Sequence, residues 1–263
     1  MSSCKEAEMG ATPSRQTIRR RAAVAAAGCL AVVAALGVAS AGAVVTKLPQ
    51  GSEPVTLNPA EFTTQITNPY FPARPGQRWV YRETDAEGAR QRVVVTVTDR
   101  TKLIANGVLA RVVRDVVTEN GKFVEVTDDW YAQDSAGNVW YLGEDTTAYN
   151  GKGKPVSKEG SFEAGVDGAQ AGVIMPGAPA PGLAYREEYY AGHAEDKAKI
   201  ISLNKRVEVP FGRFGHVLKT RNLNPLEPKL VEVKFYARGI GLVEARDIRG
   251  SSDHEELIKF RRG

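Results

Sequence analysis

The sequence is almost without cysteine: Cys4 and Cys29 are the only two, and both fall within the first 45 of 263 residues. Beyond them the chain has no disulfide, thiol nucleophile or thiolate metal site to offer. Histidine is nearly as scarce. His193, His216 and His254 stand far apart, none in a paired spacing such as H-E-x-x-H, and they read as surface residues. No G-x-S-x-G elbow is present, and Gly151-Lys152-Gly153-Lys154 lacks both the P-loop spacing and its hydroxyl residue. Gly165-Val166-Asp167-Gly168 follows no clear strand, so it is not expected to cradle phosphate. Asp134 to Asp145 imitates a calcium loop at its acidic ends and at Asn138. It fails at Ala136 and at Val139, where a ligand and a sharp glycine turn are required. No cofactor and no metal is expected.

An excess of one charge is missing as well. The 35 Lys+Arg and 31 Asp+Glu give +4, but residues 1–45 hold five of the former and two of the latter, which leaves 30 against 29. Nucleic acid is therefore not expected as a partner.

The N-terminus does carry one long charge-free run. Arg15, Arg19, Arg20 and Arg21 precede Ala22 to Val45, which ends in the small residues Ala39-Ser40-Ala41 and Ala41-Gly42-Ala43. A basic stretch, an apolar run and small residues at its end are the pattern of a cleaved export signal. The run also exceeds the roughly 20 residues that span a bilayer as a helix, so an uncleaved anchor with its basic end in the cytoplasm is the alternative. A lipoprotein joined through Cys29 would have too short an apolar run, and Arg20-Arg21 lacks the bulky residues expected of a twin-arginine signal. Each reading puts the bulk of the chain outside the cytoplasm, with membrane contact only through this segment if it is retained.

Residues 46–75, rich in Pro, Thr and Asn, read as a linker and N-terminal arm with one helical turn near Pro59 to Gln65 after an Asn58 cap. Residues 76–263 then read as one β domain. The hairpin Trp130 to Glu144 is its centre. Asp134-Ser135-Ala136-Gly137 has the acceptor and the glycine of a type I turn with a bulge. This choice opposes Gln133 to Val139, Ala132 to Trp140, Tyr131 to Tyr141, Trp130 to Leu142 and Asp128 to Glu144. Alternation puts Val124, Val126, Trp130, Ala132, Trp140 and Leu142 on an apolar face, read as core, and Asp129, Tyr131, Gln133 and Tyr141 on a face that tolerates water.

Strands are expected at 77–84, 90–98, 109–117 and 122–134, with Asn106-Gly107 and Asn120-Gly121 among their turns. Connections this short require antiparallel neighbours. Asp145 to Ala184, rich in Gly and Pro, reads as a packed flap over the sheet, because disorder would leave Tyr149, Phe162, Ile174 and Met175 exposed. Strands resume at 185–190, 197–203, 206–209, 215–222, 230–237, 242–248 and 255–260. The fold class expected is all-β: a large antiparallel meander forming a curved sheet or half-open barrel.

The runs DDWYAQDSAGNVWYLGE, EGSFEAGVDGAQAGVIMP and KFYARGIGLVEARD resemble those of a family of exported bacterial proteins of uncharacterised function, a likeness that covers most of residues 67–260. It implies an exported β-sheet protein. A looser likeness of architecture, carried by no motif, joins it to half-open barrels of envelope lipoproteins that carry lipid.

The function expected is that of a non-enzymatic cell-envelope protein binding an apolar or amphiphilic ligand between sheet and flap, at Tyr149, Phe162, Ile174 and Met175. The alternatives are a structural or interaction module partnering an envelope component and, last, a hydrolase or lyase using Asp128, Glu144, Glu163 and Asp167. The opposed pair Asp128 and Glu144 requires an intervening Arg111 or Arg114, a cation, or a carboxyl that keeps its proton. N-terminal sequencing of the exported protein is expected to show cleavage between Ala39 and Val44; an intact Arg21 to Val45 segment in the membrane fraction would instead establish the anchor.

Overall fold

The structure, a computed structural model, describes residues 47–263; the expected export signal or anchor at 1–45 lies outside the described residues. One 3-10 turn, Pro59–Glu61, opens the arm, with the Asn58 side chain accepting from the Ala60 N–H as the cap. All sixteen strands pair antiparallel in one sheet. The short β1 (Phe62–Thr63) precedes a first meander of β2 (Arg78–Thr84), β3 (Arg90–Leu103), β4 (Leu109–Glu119), β5 (Lys122–Asp134) and β6 (Val139–Tyr149). Short strands follow: β7 (Pro155–Ser157), β8 (Phe162–Glu163), β9 (Gln170–Met175), β10 (Ala184–Arg186) and β11 (Glu188–Tyr189). A second meander comprises β12 (Lys197–Val209), β13 (Gly212–Leu223), β14 (Val231–Ala237), β15 (Gly241–Arg249) and β16 (His254–Arg261). The stretches 197–203 and 206–209, expected as two strands, are one strand whose register shifts between Ile200 and Val207.

Pairing of β16 with β2 joins the two meanders. Their far edges are joined by a single segment. Its first half, β10, pairs with β12, and its second half, β11, pairs with β9, which itself pairs with β6. The sheet is thereby nearly closed into a barrel, which removes the unpaired edges an open sheet would expose. Closure demands a close approach: a Cβ on Gly172 would lie 2.2 Å from the Glu187 carbonyl oxygen.

Arg186 holds this seam. Its side chain is wholly buried. The guanidinium donates to the Ala171 carbonyl at 2.9 and 3.1 Å, to Gly51 O at 2.5 Å and to Glu53 O at 2.6 Å, while its backbone N–H donates to Pro49 O. Burial lowers its pKa and the Glu53 carboxylate opposes that shift. The arm is thus tied to the barrel wall at one place by an arginine serving three backbone carbonyls. Farther along, Asn68 donates to Gly137 O and Pro176 O, and Ile66, Tyr70 and Ala73 enter the core.

The central hairpin keeps the expected turn. Asp134 accepts from the Asn138 N–H, the Asn138 side chain and the Trp140 indole, each at 2.8 Å, and Gly137 takes φ 83°. Pairing runs as expected from Gln133 and Val139 to Tyr131 and Tyr141, then shifts by one residue. Gly143, at φ 132°, makes the bulge; a Cβ there would lie 2.2 Å from the Phe162 carbonyl oxygen. Beyond it Glu144 opposes Asp129, and Asp128 opposes Asp145, which corrects the expected Asp128 and Glu144 pair.

The reading of the faces is corrected too, because both are buried. Tyr131 lies within electrostatic reach of Tyr236 on β14, six strands away along the sheet, a proximity that only the barrel interior provides. The tyrosine face therefore points inward. The tryptophan face points outward and is covered from outside: Phe62 of the arm packs edge-on to Trp140, and the Lys102 ammonium lies 4.5 Å from the Trp130 ring. The stretch 145–184, expected as a flap over the sheet, lies in it instead, with β7, β8 and β9 all paired along β6. Glycines and prolines there shorten the strands rather than abolish them.

Replacing Arg186 with Leu leaves the carbonyls of Gly51, Glu53 and Ala171 without their donor. Only the Ala171 carbonyl is buried, while those of Gly51 and Glu53 are part-buried and open to water, so at about 1–3 kcal/mol for a buried group left unpaired a loss of about 1–3 kcal/mol in denaturant unfolding is expected. Faster proteolysis near residues 47–55 should accompany it.

Candidate functional site

The barrel interior is layered. At one end the arm forms the floor: Phe71 packs 5.0 Å from Tyr131, and a small apolar cavity of about 70 Å³ remains among Phe71, Trp79, Tyr81, Val97, Val113 and Leu242. Above the floor stand Tyr81, Tyr131, Tyr141, Tyr185 and Tyr236. Burial pushes all five phenols above their ordinary pKa of 10.0. Tyr131 and Tyr141, opposed on β5 and β6, stack at 4.9 Å, and Phe162 closes on Tyr141 edge-on at 5.5 Å.

Within this layer Tyr141 joins two carboxyl groups. Its hydroxyl lies 2.7 Å from Asp129 Oδ1 and 2.9 Å from Glu144 Oε2. A phenol has one proton to donate, so two short contacts of this kind are satisfied together when one carboxyl keeps its own proton. Asp129 is the carboxyl whose surroundings favour that proton. Burial first, and then the charge of Glu144, raise its pKa well above 3.8, against the lowering effect of the Tyr141 hydrogen bond. The arrangement resembles an acid dyad chemically, yet the rings of Phe162 and Tyr131 pack on Tyr141, and neither carboxyl lines the open cleft described next.

The other end of the barrel opens to solvent through a cleft of about 120 Å³ whose lining holds eight carboxylates, one lysine and one histidine. Strand register concentrates these acids. Glu83 on β2 is directly opposite Glu255 on β16, and Glu232 on β14 is directly opposite Asp247 on β15. Like charges so placed are destabilising. Lys234, with Nζ 3.2 Å from Glu232, is the lysine of the set. Glu187, at the barrel seam, lines the same cleft although it is only 4% exposed. Its Oε2 accepts from Asn222 Nδ2 at 2.7 Å, while Oε1 accepts no hydrogen bond among the described residues. Burial above all pushes the Glu187 carboxyl up to about 7; Asp196 and Glu232 add to the rise, and Lys234 and Asn222 oppose it. Leu223, Leu230 and Ala245 supply an apolar part of the rim and wall.

The residues named from sequence do not converge. Tyr149 lies beside Phe123 at 5.7 Å, near the far end of the hairpin, while Phe162 packs inside on Tyr141. Met175 is fully buried and Ile174, next to it on β9, is partly buried. Asp128 points outward between Arg100 at 2.8 Å and Arg114 at 3.3 Å, so the arginine expected beside it is Arg114. Arg111 instead donates to the carbonyls of Asp99 and Thr64. Glu163 pairs with Lys102 on the outer face at 3.0 Å, and Asp167 stands exposed in a turn at φ 49°. Asp128, Glu144, Glu163 and Asp167 therefore form no common site. The acids of the mouth were missed because they come from five separated segments; the alternating Glu232, Lys234 and Tyr236 on one face of β14 was the local signal available.

No family model and no curated protein matches the chain. Among solved structures, a protein of Bacteroides fragilis provisionally described as exported, with a YmcC-like fold, aligns at 14% identity over 73% of this chain and 99% of its own, with a TM-score of 0.41. A protein of Parabacteroides distasonis provisionally described as a lipoprotein aligns at 14% identity over 73% of this chain and 98% of its own, with a TM-score of 0.39.

Asp129 holds its proton to higher pH folded than unfolded. Its contribution to stability is present in full below the unfolded value near 3.8 and is lost as pH rises through the folded value. Asp129→Asn is therefore expected to raise the thermal midpoint at pH 8 and to leave it unchanged at pH 3, in melts followed by circular dichroism.

Proposed function

We propose that this is an exported, non-enzymatic cell-envelope protein that binds an amphiphilic ligand at the open end of its barrel. The observation that carries the reading is the solvent-open cleft with acids on its wall and the half-exposed Leu223 and partly buried Leu230 at its edge. Such a lining suits a polar head group inside and an apolar chain laid over the rim. The volume of about 120 Å³ suits a head group, not a whole lipid. The basic segment and apolar run at 15–45 support export.

The inner carboxyls Asp129 and Glu144 favour a hydrolase less. Aromatic rings pack around Tyr141 between them, and a general acid must come within hydrogen-bond reach of a substrate. The test is native mass spectrometry of the protein taken from its host, together with calorimetric titration of decyl-chain probes with anionic, neutral and cationic heads. A co-purifying amphiphile, or binding of at least one probe that Leu230→Asp weakens, is the expected result. Protein that is ligand-free by mass and silent to every probe overturns the reading.

A further inference from the structure

We infer that the head group received by the barrel mouth is an organic cation, a primary ammonium or guanidinium, and that Glu187 accepts its hydrogen bond; this rests on the mouth being the binding site. The first argument is how the protein distributes its charge. Beyond residue 45 the chain is balanced, 30 basic against 29 acidic residues. Folding unbalances it locally. Arg82, Arg100, Arg114 and Arg246 lie on the outer face in ion pairs with Glu256, Asp128 and Glu244, whereas the mouth gathers eight carboxylates around Lys234. A concave site lined by one sign of charge raises the local concentration of the opposite sign.

The second argument is independent of the cluster. Glu187 is 96% buried, lines the cleft, and has one carboxylate oxygen already held by Asn222, whose own Oδ1 accepts from the Thr220 hydroxyl at 2.7 Å. Its backbone N–H is fixed to Asp196 O at 2.7 Å. The side chain is thus locked in place with Oε1 unpartnered among the described residues. Leaving a buried acceptor unpaired is unfavourable, and a charged donor is the partner that restores most. The groups facing it are Asp196, Glu232, Lys234, Asn222, Tyr185 and Tyr236, of which Lys234 is already engaged with Glu232. No three His, Asp or Glu among the described residues converge as metal ligands, so a cation whose N–H donors reach separate acceptors suits the cleft better than a metal ion.

The experiment is calorimetric titration of the exported protein with n-decylammonium, n-decanoate and n-decyl maltoside, each below its micellar concentration, at several pH values. At pH 8 the ammonium probe is expected to bind about tenfold or more tighter than the other two, as a charge-assisted hydrogen bond implies. Its affinity should fall by up to about tenfold in all as pH drops through about 7, as Glu187 takes up the competing proton. Glu187→Gln should weaken the ammonium probe about tenfold and flatten that slope, with decyl maltoside binding unchanged. If that variant does not fold, Glu83→Gln combined with Glu255→Gln is expected to weaken the ammonium probe selectively. Equal binding of all three probes, or full affinity in whichever of these variants folds, overturns the inference and leaves the mouth as the binding site. Silence from every probe overturns both.

Discussion

Closure of the barrel through residues 184–189 is the constraint on which the remaining structure depends. Two five-stranded meanders meet along β16 and β2, but their other edges meet only because one short segment pairs first with β12 and then with β9. The segment approaches backbone carbonyls of the arm and a buried one of β9, and Arg186 is the residue that donates to them. An arginine is suited to this because its donors lie in a fixed fork and it keeps its charge when partly desolvated. The same segment carries Tyr185 and Glu187 inward, so the seam that completes the wall also brings a carboxylate to the mouth.

A second constraint is one residue long. Gly143 inserts a bulge where β8 crosses close to β6, and the bulge turns Glu144 toward Asp129 inside the barrel instead of toward Asp128 outside it. The consequence is chemical. Asp128 meets two arginines on the outer face, while Asp129 and Glu144 meet a phenol inside the barrel, where the surroundings favour a proton on Asp129 in addition to the one the phenol donates. A like-charged pair that would repel at the surface becomes a hydrogen-bonded unit inside, as low dielectric favours the protonated form.

The layering of the interior follows from where the polar arm and the strand ends lie. The arm brings Ile66, Tyr70 and Phe71 under one end and makes it apolar; the opposite end is left to strand termini rich in acids. Between them the tyrosines span the change, each with an apolar ring and a polar tip. Among the described residues the two ends of the barrel therefore differ in chemistry, one packed by the apolar residues of the arm and the other acidic and open to solvent.

Much of the fold was legible in the sequence because its signals are local. Alternation over four to thirteen residues, Asp134 with Gly137, and Asn120 with Gly121 identify strands and turns without reference to the remaining chain, and the absence of cysteine beyond Cys29 excludes thiol chemistry outright. Gly143 within a strand pattern was a readable sign of the bulge, although the strand that crosses it lies nineteen residues away. What the sequence could not decide is which face of the hairpin is inside, because both faces are apolar enough to bury and alternation carries no sign. That, the seam at Arg186 and the gathering of Glu83, Glu187, Glu232, Asp247 and Glu255 at one mouth are decided only by tertiary structure. Each depends on segments brought together by closure, and the energies that sort them act across space, not along the chain.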